Sequence, residues 1–115
     1  INANGDVEPC VFVHFAMDNI KDESLREALK SSFFQAIGEK QPYHHNLLRP
    51  CMIIDHPNVL SEVCQQIHPY ATDPSSEVVI TSLCGVLGQY ASKAATVLDP
   101  PWEKEFAEKG FTPWA

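Results

Sequence analysis

Apolar residues at Leu25, Ala28, Leu29, Phe33, Ala36 and Ile37 recur at intervals of three and four, the spacing that lines one face of an α-helix. Asp22 stands where an N-cap belongs, Glu23 complements the helix dipole, and Gly38 supplies a C-terminal stop. The pattern predicts a helix over about Glu23 to Ile37. A second stripe, Val59, Leu60, Val63, Cys64 and Ile67, opens at Asp55 and Pro57 and stops at His68-Pro69. The longest stripe runs through Ile80, Leu83, Cys84, Leu87, Tyr90, Ala91, Ala94 and Leu98 and predicts a helix over roughly Ser76 to Leu98, after the start signal Asp73-Pro74-Ser75-Ser76-Glu77. Gly85 and Gly88 weaken it by up to ~1 kcal/mol each relative to alanine, which points to close packing against a neighbour. Asp99-Pro100-Pro101 is expected to break this helix, and Pro101-Trp102-Glu103 to begin a short final one reaching about Lys109.

The start of the chain reads differently. Val7 to Phe15 alternates partly and is rich in valine and phenylalanine, which predicts the second strand of a hairpin turning at Asn4-Gly5. Its first strand is then expected at or before Ile1. Glu39 to Pro50 is polar and proline-bearing, hence a loop, and Cys51-Met52-Ile53-Ile54 is too short to classify by period. The expected fold class is α+β, a small N-terminal β-hairpin followed by about four α-helices, in one domain over residues 1–115. Because the chain opens at Ile1 directly on a hairpin, a domain excised from a longer polypeptide is expected, with a processed N-terminus as the alternative.

Composition narrows the function. A length of 115 residues with 44% hydrophobic and 20% charged residues suits one globular domain with its own core. Eight Lys+Arg against fifteen Asp+Glu give a net charge of −7. That balance argues against nucleic acid or an anionic membrane as partner, because both require a basic footprint. No window approaches the roughly 18 apolar residues of a membrane span, and no secretory leader pattern opens the chain.

Four cysteines, Cys10, Cys51, Cys64 and Cys84, are widely and irregularly spaced, without the density of a disulfide scaffold, so a reducing cytoplasmic setting is expected. The absence of Cys-x-x-Cys disfavours zinc ribbons and thioredoxin-like sites. Cys64 and Cys84 fall in helical stripes, where cysteine acts as a small hydrophobe. Cys10 and Cys51 each follow a proline, outside the helices, at a junction between loop and apolar run. On those grounds alone an incidental thiol and a metal ligand both remain open. His44-His45 is expected on a solvated loop, the two rings pointing in different directions. His14 should face solvent or a partner domain, and Asp55 and His56 should cap a helix. Glu103, Glu105 and Glu108 read as surface carboxylates on the terminal helix. Neither a nucleophile elbow nor a phosphate-binding glycine loop occurs.

The segment Asn2-Ala3-Asn4-Gly5-Asp6-Val7-Glu8-Pro9-Cys10, then Asp18-Asn19-Ile20, the helix around Glu23 to Leu29, and Leu48-Arg49-Pro50-Cys51, resembles the C-terminal SPASM/Twitch extension of radical S-adenosylmethionine proteins. That family carries Asn-x-x-Gly-Asp-Val-x-Pro-Cys, Gly-Asn-Ile, a helix and a later Arg-x-Cys. The resemblance covers about Ile1 to Cys51. It implies an auxiliary iron–sulfur cluster, commonly [4Fe-4S], held by cysteine thiolates, with Cys10 and Cys51 as the metal ligands. A family cysteine that precedes the glycine has no counterpart here, and the later Cys-x2-Cys run is missing, since Met52 to Val63 contains no cysteine. The departure favours a single-cluster, Twitch-like or degenerate arrangement and leaves a fourth ligand unassigned, Cys64 and Cys84 being possible.

The resemblance further implies a parent iron–sulfur oxidoreductase whose separate catalytic domain binds S-adenosylmethionine through Cys-x3-Cys-x2-Cys, a motif this chain lacks. The present domain would cap that catalytic domain in cis, orient a substrate of unspecified type and pass electrons. The alternative is a metal-free helical docking domain in which every cysteine is core or incidental, and the stripe from Ile80 to Leu98 and Trp102 and Trp114 meet a partner.

Overall fold

The computed structural model describes residues 1–107 and 109, Ala107 by its backbone only. The chain begins with a tight turn. The Asn2 side-chain oxygen accepts the N–H groups of Asn4 (2.9 Å) and Asp6 (3.1 Å), and the Gly5 N–H donates to the Asn2 carbonyl (3.1 Å). Gly5 sits at φ +91°, and a Cβ there would lie 2.7 Å from Asn19 Oδ1. Both the backbone angle and the close approach therefore require glycine.

Residues 5–7 pair antiparallel with residues 18–20. Val7 N–H donates to Asp18 O and Ile20 N–H to Gly5 O, each at 2.9 Å, around a bridge between Asp6 and Asn19. The small N-terminal hairpin is thus closed by a partner downstream, residues 18–20. Most of the predicted Val7–Phe15 strand is a loop, because Pro9 has no N–H to offer a ladder and the Cys10 carbonyl accepts the Val13 N–H (3.2 Å) to make a turn. Beyond Val7, pairing resumes at β1, Phe15–Ala16. Its antiparallel partner is β2, Tyr70–Ala71, with Phe15 opposite Ala71 and Ala16 opposite Tyr70.

The first predicted helix is two helices. Helix α1, Leu25–Ala28, starts at Ser24, not Asp22. Ser24 and Glu27 form a reciprocal capping box, Glu27 N–H donating to Ser24 Oγ (3.3 Å) and Ser24 N–H to Glu27 Oε2 (3.0 Å). Ser31 is extended (φ −61°, ψ 158°) and opens α2, Ser32–Lys40. Helix α3, Pro57–Ile67, falls where the sequence predicts it, closed by His68 in the left-handed region (φ 57°).

The longest predicted helix also divides, into α4, Ser76–Ile80, and α5, Cys84–Trp102, parted at Thr81 (φ −116°, ψ −96°). Instead of ending at Asp99, α5 runs through Pro100 and Pro101 and widens into a π-helical turn, Glu103–Ala107. The Glu103 N–H reaches the carbonyls of both Asp99 and Pro100, so the ladder resumes beyond the prolines. Trp102, buried and stacked on Phe106 with ring centroids 5.1 Å apart, anchors this end. The mostly helical α+β class holds.

The core gathers Val13, Phe15, Phe33, Ala36, Ile37, Met52, Leu60, Val63 and Cys64, so the irregular N-terminal half and α3 share one interior. Close packing does not account for Gly85 and Gly88: a Cβ at either would meet nothing within 4 Å. Gly88 instead floors an open groove of about 380 Å³ between α3 and α5, bordered by Arg49, Asp55, Asn58 and Cys84. Among the described residues no helix is long and apolar enough to cross a membrane.

Candidate metal centre

Cys10 and Cys51 line the same cavity, of about 270 Å³, together with Tyr43, Gln41, Met52 and the two prolines that precede the cysteines. Each sulfur accepts a backbone N–H from the turn it opens. Phe12 N–H lies 3.4 Å from the Cys10 sulfur and Ile54 N–H 3.5 Å from the Cys51 sulfur. An N–H aimed at each sulfur fixes the direction in which its lone pairs are presented to the cavity. The half-buried Tyr43 hydroxyl accepts from Gln41 Nε2 (3.2 Å) and faces the Met52 sulfur (3.7 Å). Burial pushes the Tyr43 phenol above its ordinary value of 10, against the Gln41 bond, and negative charge at Cys10 and Cys51 adds to the rise.

Long-range bonds hold the Cys51 segment. Arg49, only 8% exposed, grips Asp99 on α5 with two bonds, Nε to Oδ1 at 2.9 Å and Nη2 to Oδ2 at 3.1 Å. Fully buried Asn46 donates to Asp99 Oδ1 (2.6 Å) and to the Leu98 carbonyl (3.1 Å). The Asn46 bond, and the Arg49 cation next, hold the Asp99 carboxyl below its usual value. His56 Nε2 bonds the Arg49 carbonyl (2.8 Å), and the Cys51 N–H donates to Asp55 Oδ2 (2.9 Å). Asp55 and His56 therefore brace the cysteine segment; the expected helix cap is absent, since no side-chain bond caps α3.

Shorter-range bonds hold the Cys10 segment. Asp6 accepts from Asn2 Nδ2 (2.9 Å), Asn19 Nδ2 (3.0 Å) and the Tyr70 hydroxyl (2.8 Å). Those bonds, with Asn2 foremost, lower its pKa from the ordinary 3.8. Glu8 accepts from the Thr72 hydroxyl and from Asn2 Nδ2 (3.3 Å), and lies 3.5 Å from His14, which is exposed as expected. Past Cys10 the chain turns outward, leaving Val11 and Phe12 75% and 71% exposed.

The remaining candidates sit elsewhere. Cys64 is in the hydrophobic core, and burial pushes its thiol up to about 11. Cys84 is half-buried at the start of α5, beside the groove that Gly88 floors, so it is less enclosed than its stripe implies. Neither lines the Cys10–Cys51 cavity. The rings of His44 and His45 do not diverge; they lie 4.1 Å apart, His44 beside Arg49 and His45 on Glu103 at 2.7 Å. Desolvation first, then the Arg49 charge, lowers the His44 pKa from 6.5. Asn46 donates its N–H to His44 Nδ1 (3.1 Å), which makes that nitrogen an acceptor. Glu103 and Glu105 are exposed as expected, while Glu108 and Trp114 lie outside the described residues.

Asn46 and Asp99 carry no signal of their roles in the sequence, the first, fully buried, sitting in a polar loop and the second in a helix-breaking triplet. Arg49 does lie within the Arg-x-Cys motif, and its role follows once Asp99 is seen.

A small α+β module presenting two cysteines to one cavity is suited to soft-metal ligation. Residues 1–54 match the family model described as SPASM, an iron-sulfur cluster-binding domain, over the stretch that carries both cysteines. No curated protein and no solved structure matches the chain. Two thiols that each accept an N–H fit the donor chemistry of an iron–sulfur cluster. They amount to part of a ligand set: among the described residues no group of three or more His, Cys, Asp or Glu could hold a metal ion.

Proposed function

We propose that this chain is the auxiliary iron–sulfur domain of a radical S-adenosylmethionine oxidoreductase, with Cys10 and Cys51 supplying two thiolate ligands to a [4Fe-4S] cluster. The observation that carries the reading is their convergence on one cavity within the SPASM-matched stretch. When bound, such a cluster supplies one-electron transfer. The chain's own residues orient the two sulfurs, donate N–H groups to them and, through Ile37, Met52 and Tyr43, give the site a partly apolar wall. The remaining ligands are unassigned; neither Cys64 nor Cys84 lines the cavity. The domain caps a catalytic domain in cis that carries the S-adenosylmethionine site, in the cytoplasm, and Val11 and Phe12, exposed beside Cys10, suit contact with that domain.

The test is iron content after anaerobic reconstitution of the full-length protein. Cys10→Ser and Cys51→Ser, made singly, are each expected to lower iron by about one cluster per chain and to weaken the visible charge-transfer absorbance. Unchanged iron in both variants overturns the reading. A Cys-x3-Cys-x2-Cys motif in the preceding residues of the gene is the expected companion observation.

The exposed apolar residues Leu83, Val86, Tyr90 and Val97 on one side of α5 favour a second reading, a metal-free docking domain. Trp102 does not contribute to it, being buried. That reading predicts that both serine variants retain all iron and that substitution along α5 weakens partner binding.

A further inference from the structure

The cavity accounts for what Cys51 faces but not for what aims it. The segment Arg49-Pro50-Cys51 has no regular secondary structure of its own. Its conformation is fixed from three directions: the Arg49 side chain by Asp99, the Arg49 carbonyl by His56, and the Cys51 N–H by Asp55. Pro50 between them fixes one backbone angle. All three partners lie beyond residue 54, outside the SPASM match. Asp99 is the distant one, fifty residues along the chain from Arg49.

We propose that Asp99 is a positioning residue for Cys51, acting through Arg49, so that α5 sets the aim of the second thiol. The arrangement suits that role. A guanidinium and a carboxylate joined by two parallel bonds fix orientation as well as distance. Asn46 bonds the same carboxylate and the adjacent Leu98 carbonyl, holding Asp99 in register with the loop. Removing the carboxylate leaves a buried cation without its partner, and the arginine must move toward water. Because Arg49 lies two residues before Cys51, that movement reaches the sulfur and its bond from Ile54 N–H. Cys10 is held by Asn2, Asp6, Asn19, Tyr70 and Thr72 and is independent of Asp99.

The proposal deepens the cluster reading, and its iron measurement rests on that reading; the thiol measurement does not. The full-length apoprotein is pulse-labelled with iodoacetamide under native conditions, and Cys51 and Cys10 alkylation are quantified by peptide mass spectrometry. In Asp99→Ala and the isosteric Asp99→Asn, Cys51 is expected to react severalfold faster while Cys10 keeps its rate. Asp99→Glu, which restores a carboxylate, is expected to return the Cys51-to-Cys10 ratio toward that of the wild type. An unchanged ratio, or the two rates rising together as they would from general loosening, overturns the proposal. Should Asp99→Ala not fold, Asp99→Asn decides by the same ratio. In reconstituted protein, iron release to a chelator should also be faster in Asp99→Asn. If the wild type holds no iron on Cys10 and Cys51, the cluster reading fails, whereas the labelling ratio still decides the role of Asp99.

Discussion

The mounts of Cys10 and Cys51 reach the same cavity by opposite means. The first is built mostly from residues 2–20, by a left-handed glycine, side-chain amides and a carboxylate, with Tyr70 and Thr72 as outer ties. The second rests on partners at positions 55, 56 and 99. A locally closed turn leaves a recognisable motif, because its requirements fall on consecutive residues. A mount closed through distant helices leaves only Arg49 beside the cysteine and hides the rest among ordinary helix positions.

The strongest way to separate the two is Arg49→Ala. Losing the two charge-assisted bonds that the buried Arg49 side chain makes to Asp99 is expected to cost about 3 kcal/mol, measured by urea unfolding. Cys51 should lose its native protection from alkylation and Cys10 keep it. The reciprocal change is Gly5→Ala. The positive φ and the approach to Asn19 Oδ1 predict a loss of about 2 kcal/mol, with Cys10 now the thiol whose reactivity changes. Equal effects of either variant on both thiols would show that the mounts are one unit. Tyr70→Phe removes one hydroxyl from the Asp6 carboxylate and is expected to cost about 1 kcal/mol, read as a small fall in Tm.

Acid tests both mounts together. Asp6 and Asp99 titrate below the ordinary carboxylate value of 3.8 in the fold. Their stabilisation is therefore complete above 3.8 and is lost as pH falls through their depressed values. Asp99→Asn should flatten the acid limb of a stability–pH curve without touching the alkaline one. The alkaline limb has a separate source. Cys64, raised from 9.0 to about 11, favours the fold while protonated, and that advantage is lost between those two values as pH rises. Cys64→Val should remove this loss while leaving iron content unchanged.

Much of this was legible from side-chain period and the hairpin motif. The stripe that gave α3 worked because its proline start, apolar face and stop are contiguous. The stripe from Leu25 to Ile37 kept its period across a real break, since α1 and α2 both turn buried residues inward and Ser31 restarts the helix without disturbing the spacing. Periodicity reports which face is buried, not whether the backbone is continuous. The prolines misled for another reason. Pro100 and Pro101 remove two donors, yet the Glu103 N–H still reaches the Asp99 and Pro100 carbonyls, and Trp102 is buried. Tertiary contact outweighed local propensity there. Nor does the sequence convey that Asn46, in a polar loop, would be fully enclosed.

The pairing of Phe15–Ala16 with Tyr70–Ala71 has a consequence for biogenesis. A ribosome that has released the chain only as far as residue 54 exposes a domain whose N-terminal turn can form but whose short sheet has no second edge. The Asp6 and Glu8 carboxylates then also wait for Tyr70 and Thr72. Late contacts of this kind slow folding, because a long loop must close before they contribute. Metal insertion at the proposed centre is accordingly an event that follows synthesis of the whole domain, and a nascent chain stalled before residue 70 should be unable to retain iron.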